Sequence, residues 1–304
     1  MALCQNSNVD IIIIAFLGAY FGPKGYPSLK IGGNSCRAAT TARQAIAPGL
    51  VNCTAMAPVI TECQRIGKPI LLSMGGSTST SNFSSASQAA DFASTLWALF
   101  GADLNNQTTR PIRPFGTDVV LDGFDIDAEN DMPDHYGTFA SALRAKYATN
   151  TSKPYYLSWS PHCPIPDNSL PLDAMLQFDW VWPRFYNAMR CNINSAGFLG
   201  SLSAWSKRLY VNGTTGPRLF PGVAASNLTA SGNVLGADLN TYISQINLTE
   251  ITNLGGLMLW DGSFALKNDT NGVDYLTYVK TSLVNLAKST TYWRCSHDIF
   301  ANKQ

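Results

Sequence analysis

Short apolar runs rich in β-branched residues alternate with amphipathic runs along most of this 304-residue chain. The apolar runs predict strands at residues 11–17, 69–73, 119–127, 155–160, 180–186, 219–223 and 256–260. Apolar spacings of three and four predict helices at residues 51–65, 86–100, 133–147, 196–208, 237–246 and 273–286. Strands joined by helical crossovers are parallel. The pattern therefore predicts the α/β class and a TIM-type (β/α)8 barrel with one strand unaccounted for. The competing architecture is a doubly wound open sheet, which is disfavoured because no G-x-G-x-x-G follows an early strand.

The composition argues against several classes of function. Charged residues make up 13% of the chain and the formal net charge is +1, so neither a nucleic-acid surface nor a polyanionic partner is indicated. The longest apolar stretch lies near residues 11–18, which is too short to span a membrane. It follows Asp10 and lacks a basic segment, so we interpret it as a buried strand and not as a signal peptide.

Seven cysteines are present, and no two of them have C-x-x-C spacing. A metal site is therefore not predicted, and disulfides formed in an oxidising compartment are the better interpretation. Eight N-x-S/T sequons agree with a secreted protein, although any one of them could be an unmodified surface loop. They begin at Asn52, Asn82, Asn106, Asn150, Asn212, Asn227, Asn247 and Asn268.

Three carboxylates recur at every second residue near the end of the third predicted strand. Alternate side chains of a strand face the same way, so Asp125, Asp127 and Glu129 share one face. In a barrel they would line the axis, with Glu129 nearest the carboxyl-terminal mouth, where barrel enzymes place their chemistry. Close like charges favour the protonated form, so at least one is expected to hold a proton near neutral pH and to serve as a general acid. The alternatives are a solvated strand end or a calcium site, but the D-x-D-x-D-G pattern is absent.

The octapeptide at residues 122–129 (DGFDIDAE) resembles the signature of glycoside hydrolase family 18. More narrowly, the chain resembles the class III, hevamine-like chitinases of plants and fungi from about Cys4 to Leu286. Four further segments are similar to that group and occur in the same order. They are residues 72–76 (LSMGG), 160–167 (SPHCPIPD), 178–187 (FDWVWPRFYN) and 255–260 (GGLMLW).

The resemblance implies an endo-acting chitinase that cleaves β-1,4 bonds between N-acetylglucosamine units with retention. The acetamide oxygen of the substrate is the nucleophile in this family. Carried onto this chain, Glu129 is the acid and base, Asp127 orients the acetamide N–H, and Asp125 shares a proton with Asp127. Tyr186 would hydrogen-bond the acetamide oxygen, and Trp260 would form the apolar floor under the sugar. No metal or cofactor is required.

The resemblance also implies residues that bind the substrate or support those that do, and a set of disulfides. The supporting residues are Ser73, Gly75, Gly76, Asp122, Arg184, Asn187 and Met258. The implied disulfides are Cys4–Cys63, Cys36–Cys53 and Cys163–Cys191, which leave Cys295 over. Arg184 stands where the plant members usually carry Gln, so contacts in the cleft are expected to differ there.

The family begins with a strand carrying Tyr-Trp-Gly-Gln-Asn, and nothing here matches it. We therefore expect a chain truncated at its N-terminus, which lacks the first barrel strand and the signal peptide of a secreted protein. The expected organisation is a catalytic barrel at residues 1–287 and a tail of unknown role at residues 288–304.

Two other functions are compatible with the same barrel. A chitin-binding lectin or protein inhibitor commonly lacks the acid, so the presence of Glu129 favours the enzyme. An endo-β-N-acetylglucosaminidase shares the acidic signature, but the cysteine layout and residues 180–187 favour the chitinase group. The expected partner is chitin or a chito-oligosaccharide, bound by a monomer with no membrane span.

Overall fold

The structure is a computed structural model that describes residues 1–169, 171–211 and 214–289. The chain divides into two compact units. The first comprises Met1–Pro161 and Pro166–Val181, and the second comprises His162–Ile165 and the residues from Trp182 onward.

The first unit is built on a mainly parallel sheet. Its strands are β1 (Ile12–Ala19), β2 (Ser28–Leu29), β3 (Ile70–Gly75), β4 (Gly123–Asp127), β5 (Tyr156–Trp159) and β6 (Trp180–Val181). Within this unit the order is β2-β1-β3-β4-β5-β6, with β2 antiparallel to β1 and every other neighbouring pair parallel. The predicted parallel strands near residues 12, 70 and 156 are confirmed.

Helices connect these parallel strands, as the alternating pattern predicts. α1 (Ala2–Gln5) precedes β1, and the connecting helices are α2 (Thr41–Ile46), α3 (Ala57–Arg65), α4 (Ala86–Phe100), α5 (Tyr136–Ala148) and α6 (Leu172–Met175). The helix predicted at residues 86–100 has those bounds because Ser85 caps it, accepting the Gln88 N–H at 3.1 Å. Its apolar side chains at Phe92 and Leu96 recur on one face and are buried.

An aromatic cluster forms part of the core of this unit. The ring centroid of Phe83 lies 5.1–5.8 Å from those of Tyr20, Phe92, Tyr136 and Phe139. These rings come from the segment after β1, from α4 and from the start of α5. The cluster therefore joins helices to the loops that leave the carboxyl-terminal ends of the strands.

The strand predicted at residues 119–127 begins at Gly123, and Asp122, just before it, bonds through its side chain as well as its backbone. Its carboxylate accepts the Ile70 N–H at 2.7 Å, the Gln64 Nε2–H at 2.8 Å and the Lys153 ammonium at 2.6 Å. Gln64 lies on α3, Ile70 begins β3, and Lys153 precedes β5. Asp122 thus joins three segments at the amino-terminal ends of the strands.

The described part of the second unit, which ends at residue 289, contains shorter strands and four helices. Its strands are β7 (Tyr210–Val211), β8 (Thr214–Thr215), β9 (Arg218–Leu219), β10 (Gly222–Ala224), β11 (Met258–Trp260), β12 (Asp269–Thr270) and β13 (Val273–Asp274). Its helices are α7 (Phe198–Leu209), α8 (Gly236–Ile243), α9 (Gly262–Lys267) and α10 (Tyr275–Lys288). β10 and β11 are parallel, and single parallel bridges join His162 to Arg184 and Arg184 to Gly222.

Two of the predicted strands are shorter or divided in the structure. The strand predicted at residues 180–186 is paired as a strand only at Trp180–Val181, and the one predicted at 219–223 is divided into β9 and β10. Proline explains both breaks, because Pro183 and Pro221 have no backbone N–H to continue a ladder.

Among the described cysteines, three disulfides are formed: Cys4–Cys63, Cys36–Cys53 and Cys163–Cys191. These are the pairs that the resemblance implies. Cys295, most of the predicted tail and the sequon at Asn212 lie outside the described residues. Within the described ranges, no helix is both long enough and apolar enough to cross a membrane.

Replacing Asp122 by Ala is expected to lower the free energy of unfolding by about 2–4 kcal/mol. The substitution leaves the Ile70 N–H without its acceptor and the Lys153 ammonium without its carboxylate partner. Chemical denaturation of the purified protein measures the change. Asp118→Ala is the control because Asp118 pairs with Arg110 on the surface. Equal stability of the two variants would contradict the assigned structural role.

Candidate active site

Asp125 is a buried carboxylate surrounded by serine hydroxyls. Its side chain is 2% exposed. Oδ2 accepts hydrogen bonds from Ser73 Oγ at 2.6 Å and from Ser160 Oγ at 3.4 Å, and Oδ1 accepts one from Ser158 Oγ at 2.7 Å. Hydrogen bonds of this kind offset the cost of removing a carboxylate from water.

Strand register brings these groups together. Ser73 of β3 pairs with Asp125 of β4, and Ser158 of β5 pairs with Asp125 from the other side. The next residues of the opposite face, Phe124 and Ile126, are buried, and the ring of Phe124 lies against Phe100 of α4. The predicted alternation therefore holds, with the carboxylates on one face and the apolar side chains toward a helix.

Two glycines shape the backbone beside Asp127. Gly75 and Gly76 have φ angles of +107° and +90°, and the Gly76 N–H donates to the Asp127 carbonyl at 2.8 Å. A Cβ atom on Gly75 would overlap that carbonyl oxygen, and one on Gly76 would lie 3.1 Å from the Phe16 ring. Both positions therefore require glycine, for conformation and for space.

Glu129 lies just beyond β4, and its side chain is partly exposed, whereas Asp125 and Asp127 are buried. Asp125, Asp127 and Glu129 thus form a file of carboxylates in which burial decreases toward the carboxyl-terminal end of the strand. A carboxylic acid at the exposed end of such a file can reach a bound substrate, while the buried members can influence it through charge.

Two buried tyrosines lie close to these carboxylates. The hydroxyls of Tyr20 and Tyr136 are 3.0 Å apart. Burial raises the pKa of Tyr20, and the neighbouring Tyr136 hydroxyl and the charges of Asp127 and Asp125 raise it further. Burial also raises the pKa of Tyr136 to about 12. Both hydroxyls therefore stay protonated at ordinary pH and can donate hydrogen bonds.

The predicted apolar residues of the second unit form a cluster of their own. Tyr186, Ala224 and Ala230 are buried together, and Met258 and Trp260 pack against them. The Trp260 carbonyl accepts hydrogen bonds from the Ala225 N–H at 2.8 Å and the Thr229 hydroxyl at 3.0 Å. The structure therefore brings together three of the predicted residues of this unit, Tyr186, Met258 and Trp260.

Arg184 and Asn187 make contacts within the second unit. A guanidinium nitrogen of Arg184 lies 3.0 Å from His162 Nε2, and the residue is 5% exposed. Asn187 has a φ of +57°, and its Oδ1 accepts the N–H of Ser231 at 2.7 Å and the hydroxyl of Ser231 at 3.1 Å. Asn187 thus joins two loops.

Asp122 does not accompany the other predicted residues. It lies at the amino-terminal end of β4, seven residues before Glu129, which corresponds to about 20 Å of extended chain. Its carboxylate is engaged by Ile70, Gln64 and Lys153. These contacts indicate a role in holding the sheet together, and the supporting role implied by the resemblance stays a prediction.

Several polar residues of the site were not predicted, namely Ser158, Tyr20, Ser81 and Asn130. Ser158 had a detectable signal, because it is a polar residue at an inward position of an otherwise apolar strand. The other three lie in loops and carry no periodic signal. No group of three or more His, Cys, Asp or Glu that could hold a metal ion occurs among the residues that the structure covers.

Comparison with known proteins identifies clear relatives. The model of the family described as glycosyl hydrolases family 18 matches residues 4–231. The chain is 37% identical over 269 residues to Endochitinase 3 of Metarhizium anisopliae, covering 88% of each chain. Among solved structures, a chitinase from Ipomoea carnea is 29% identical, with a TM-score of 0.71 over 92% of this chain and 93% of that one.

A second structural relative has a different description. The xylanase and alpha-amylase inhibitor protein of Scadoxus multiflorus is 26% identical, with a TM-score of 0.71 over 91% of each chain. Together these likenesses confirm the predicted TIM-type (β/α)8 class.

Gly75→Ala is expected to destabilise the protein more than Gly67→Ala. Both glycines have positive φ, +107° and +83°, but a Cβ on Gly67 meets no atom within 4 Å. The control therefore measures the conformational cost alone, about 1 kcal/mol. Overlap with the Asp127 carbonyl should add at least about 1–3 kcal/mol to the loss at Gly75. Chemical denaturation measures both losses of stability. Equal losses in the two variants would contradict this prediction, because they would show that β3 and β4 can move apart at Gly75 without a loss of stability.

Proposed function

The chain belongs to glycosyl hydrolase family 18, and from this premise we propose that it is an endo-acting chitinase with Glu129 as its acid and base. The observation that carries the proposal is the file of carboxylates on β4 and beyond it, buried at Asp125 and Asp127 and partly exposed at Glu129. The similarity to Endochitinase 3 of Metarhizium anisopliae supports chitin as the substrate.

In the proposed first step, the Glu129 carboxyl gives its proton to the glycosidic oxygen as the bond from that oxygen to C1 breaks. The acetamide oxygen of the same sugar attacks C1 and forms an oxazolinium-like intermediate. Asp127 accepts a hydrogen bond from the acetamide N–H, which orients the group and offsets the positive charge that develops on it.

In the proposed second step, Glu129 removes a proton from the water that attacks C1. The intermediate opens and the acetamide is restored, with net retention of configuration. Asp125 supports Asp127 by sharing its proton, and the serine hydroxyls around Asp125 can donate to whichever of its oxygens carries charge. Ser73, Gly75 and Gly76 hold this arrangement through the contacts that they make with β4.

Tyr186 and Trp260 are proposed to bind the sugar of the substrate. Tyr186 would donate a hydrogen bond to the acetamide oxygen, and Trp260 would provide an apolar face under the ring. Packing of Met258 and Trp260 against Tyr186 supports this proposal, because it fixes the side chains before substrate arrives. Arg184 and Asn187 are proposed to contact more distant groups of the substrate.

A second candidate is a chitin-binding or inhibitory protein without hydrolytic activity. The similarity to the inhibitor protein of Scadoxus multiflorus favours it. Glu129 favours the enzyme, since a binding protein has no need of an acid at the exposed end of the file. We also propose that the protein is secreted and monomeric, with its catalytic domain at residues 1–287 followed by a tail at residues 288–304.

Glu129→Gln is expected to lower the rate of chito-oligosaccharide hydrolysis by about 100- to 10,000-fold, because the amide has no proton to give to the leaving oxygen. Product release from a chitin hexasaccharide, followed by chromatography, measures the rate. Glu250→Gln, at an exposed glutamate, is the matched control and should retain the parent rate.

A folded parent chain that binds the hexasaccharide without cleaving it would favour the second candidate. Equal rates for the parent and Glu129→Gln would remove Glu129 from the mechanism. Calorimetry of hexasaccharide binding to each variant shows whether a lower rate reflects only a loss of affinity.

Secretion through a glycosylating host is expected to place glycans on Asn52, Asn150 and Asn247. In these sequons the Asn Oδ1 accepts hydrogen bonds from both the N–H and the hydroxyl of the Ser or Thr two residues later, and the loops are exposed. Asn268 should stay unmodified because its Nδ2 donates to the Ala225 carbonyl at 2.6 Å in a partly buried contact. Mass spectrometry after enzymatic deglycosylation in heavy-oxygen water maps the sites. A glycan at Asn268 with none at the other three would contradict this selection.

A further inference from the structure

We propose that Asn130 is a positioning residue for Glu129, acting by a side-chain hydrogen bond that fixes the loop after β4 to the loop after β3. The inference rests on the proposed function, since it concerns the acid of that reaction. The residue that positions the acid would then lie just outside the signature octapeptide.

The side-chain amide of Asn130 is engaged at both ends. Its Nδ2 donates to the Ser81 carbonyl at 2.9 Å, and its Oδ1 accepts the Met132 N–H at 3.3 Å. The two contacts fix which way the amide points. Asp131, between them, has a φ of +52°, so the chain turns sharply directly after Asn130.

Ser81 is itself held by several contacts, so its carbonyl is a fixed acceptor. Its hydroxyl accepts the Tyr20 N–H at 3.0 Å, and its own N–H donates to Ser79 Oγ at 3.3 Å. The Ser79 N–H in turn donates to the Gly76 carbonyl at 2.9 Å. Ser81 therefore connects the loops that leave the ends of β1, β3 and β4.

Aromatic packing also holds the loop that carries Ser81. Phe83, two residues after Ser81, is buried with its ring 5.3 Å from that of Tyr20 and 5.1 Å from that of Tyr136. The hydroxyls of the two tyrosines also contact each other at 3.0 Å. The loop that carries Ser81 is thus joined to the core of the first unit on both sides of its acceptor carbonyl.

This arrangement bears on Glu129 through the peptide bond that joins it to Asn130. Glu129 lies beyond the last paired residue of β4, so the strand ladder alone does not set its backbone. Holding Asn130 to Ser81 sets the backbone on the far side of the acid. A displacement of about 1 Å at a reacting group can cost about 100-fold in rate, so a contact of this kind is kinetically significant.

Two substitutions test the proposal in the full chain with the chitin hexasaccharide as substrate. Asn130→Ala removes the amide, and Asn130→Asp keeps its shape but offers the Ser81 carbonyl no donor. We expect kcat to fall tenfold or more in both variants, with KM changed less than threefold. Gln177→Ala is the matched control, because it removes another amide that donates to a backbone carbonyl, that of Gly137, and should keep the parent kcat.

The pH profile gives a readout that a merely structural role would not change. In Asn130→Asp the added negative charge favours the protonated form of a neighbouring acid. The alkaline limb of the kcat profile should therefore move to higher pH in Asn130→Asp and stay in place in Asn130→Ala. A thermal melt of each variant shows whether the fold is kept.

An active parent whose kcat is unchanged within twofold in Asn130→Ala would overturn the inference and leave the proposed function standing. A fall in kcat that merely tracks a lower melting temperature, with no shift of the profile in Asn130→Asp, would overturn it as well. A folded parent that does not cleave the hexasaccharide would overturn the proposed function, and the inference with it.

Discussion

A carboxylate buried in a sheet requires hydrogen-bond donors. In this protein the donors to Asp125 of β4 come from its two neighbouring strands, β3 and β5. Ionised groups away from water cost several kcal/mol unless they are hydrogen-bonded. Ser73 and Ser158 supply donors from β3 and β5, and Ser160 follows β5. A slip of one residue would turn apolar side chains toward Asp125 and the serines toward the helices. The register of the sheet therefore cannot change without removing the hydrogen-bond donors of Asp125.

Much of the fold follows from the sequence because its two periodicities are strong. The helix at residues 86–100 has a cap and a regular apolar face, so its bounds follow directly. Strand bounds follow less well, because a strand is defined by its partners. Pro183 and Pro221 interrupt apolar runs that read as continuous strands, and their carbonyls still accept the N–H groups of Gly222 and Met258. The sequence alone thus overestimates how far these strands pair.

In the site, too, the features set by nearby residues could be predicted, whereas contacts between residues far apart in the chain could not. The inward placement of Asp125 and Asp127 follows from alternation along one strand, and the signature octapeptide draws attention to Glu129. The contacts of Tyr20, Ser81 and Asn130 join residues 61 and 49 positions apart in the chain, in loops without any period. Asp122 also belongs to the octapeptide, yet it precedes β4 and lies seven positions before the acid. Membership of a motif does not by itself place a residue at the chemistry.

The contact of Gly75 and Gly76 with the backbone of Asp127 has a consequence for how such an enzyme can diversify. Any side chain at these positions meets main chain or the Phe16 ring, so no neighbouring rotamer change can make room for one at Gly75. Substitution at these two positions is therefore costly, and the surrounding loops are the more tolerant place for variation. The loops can therefore differ in what they recognise while the backbone around the carboxylates is kept.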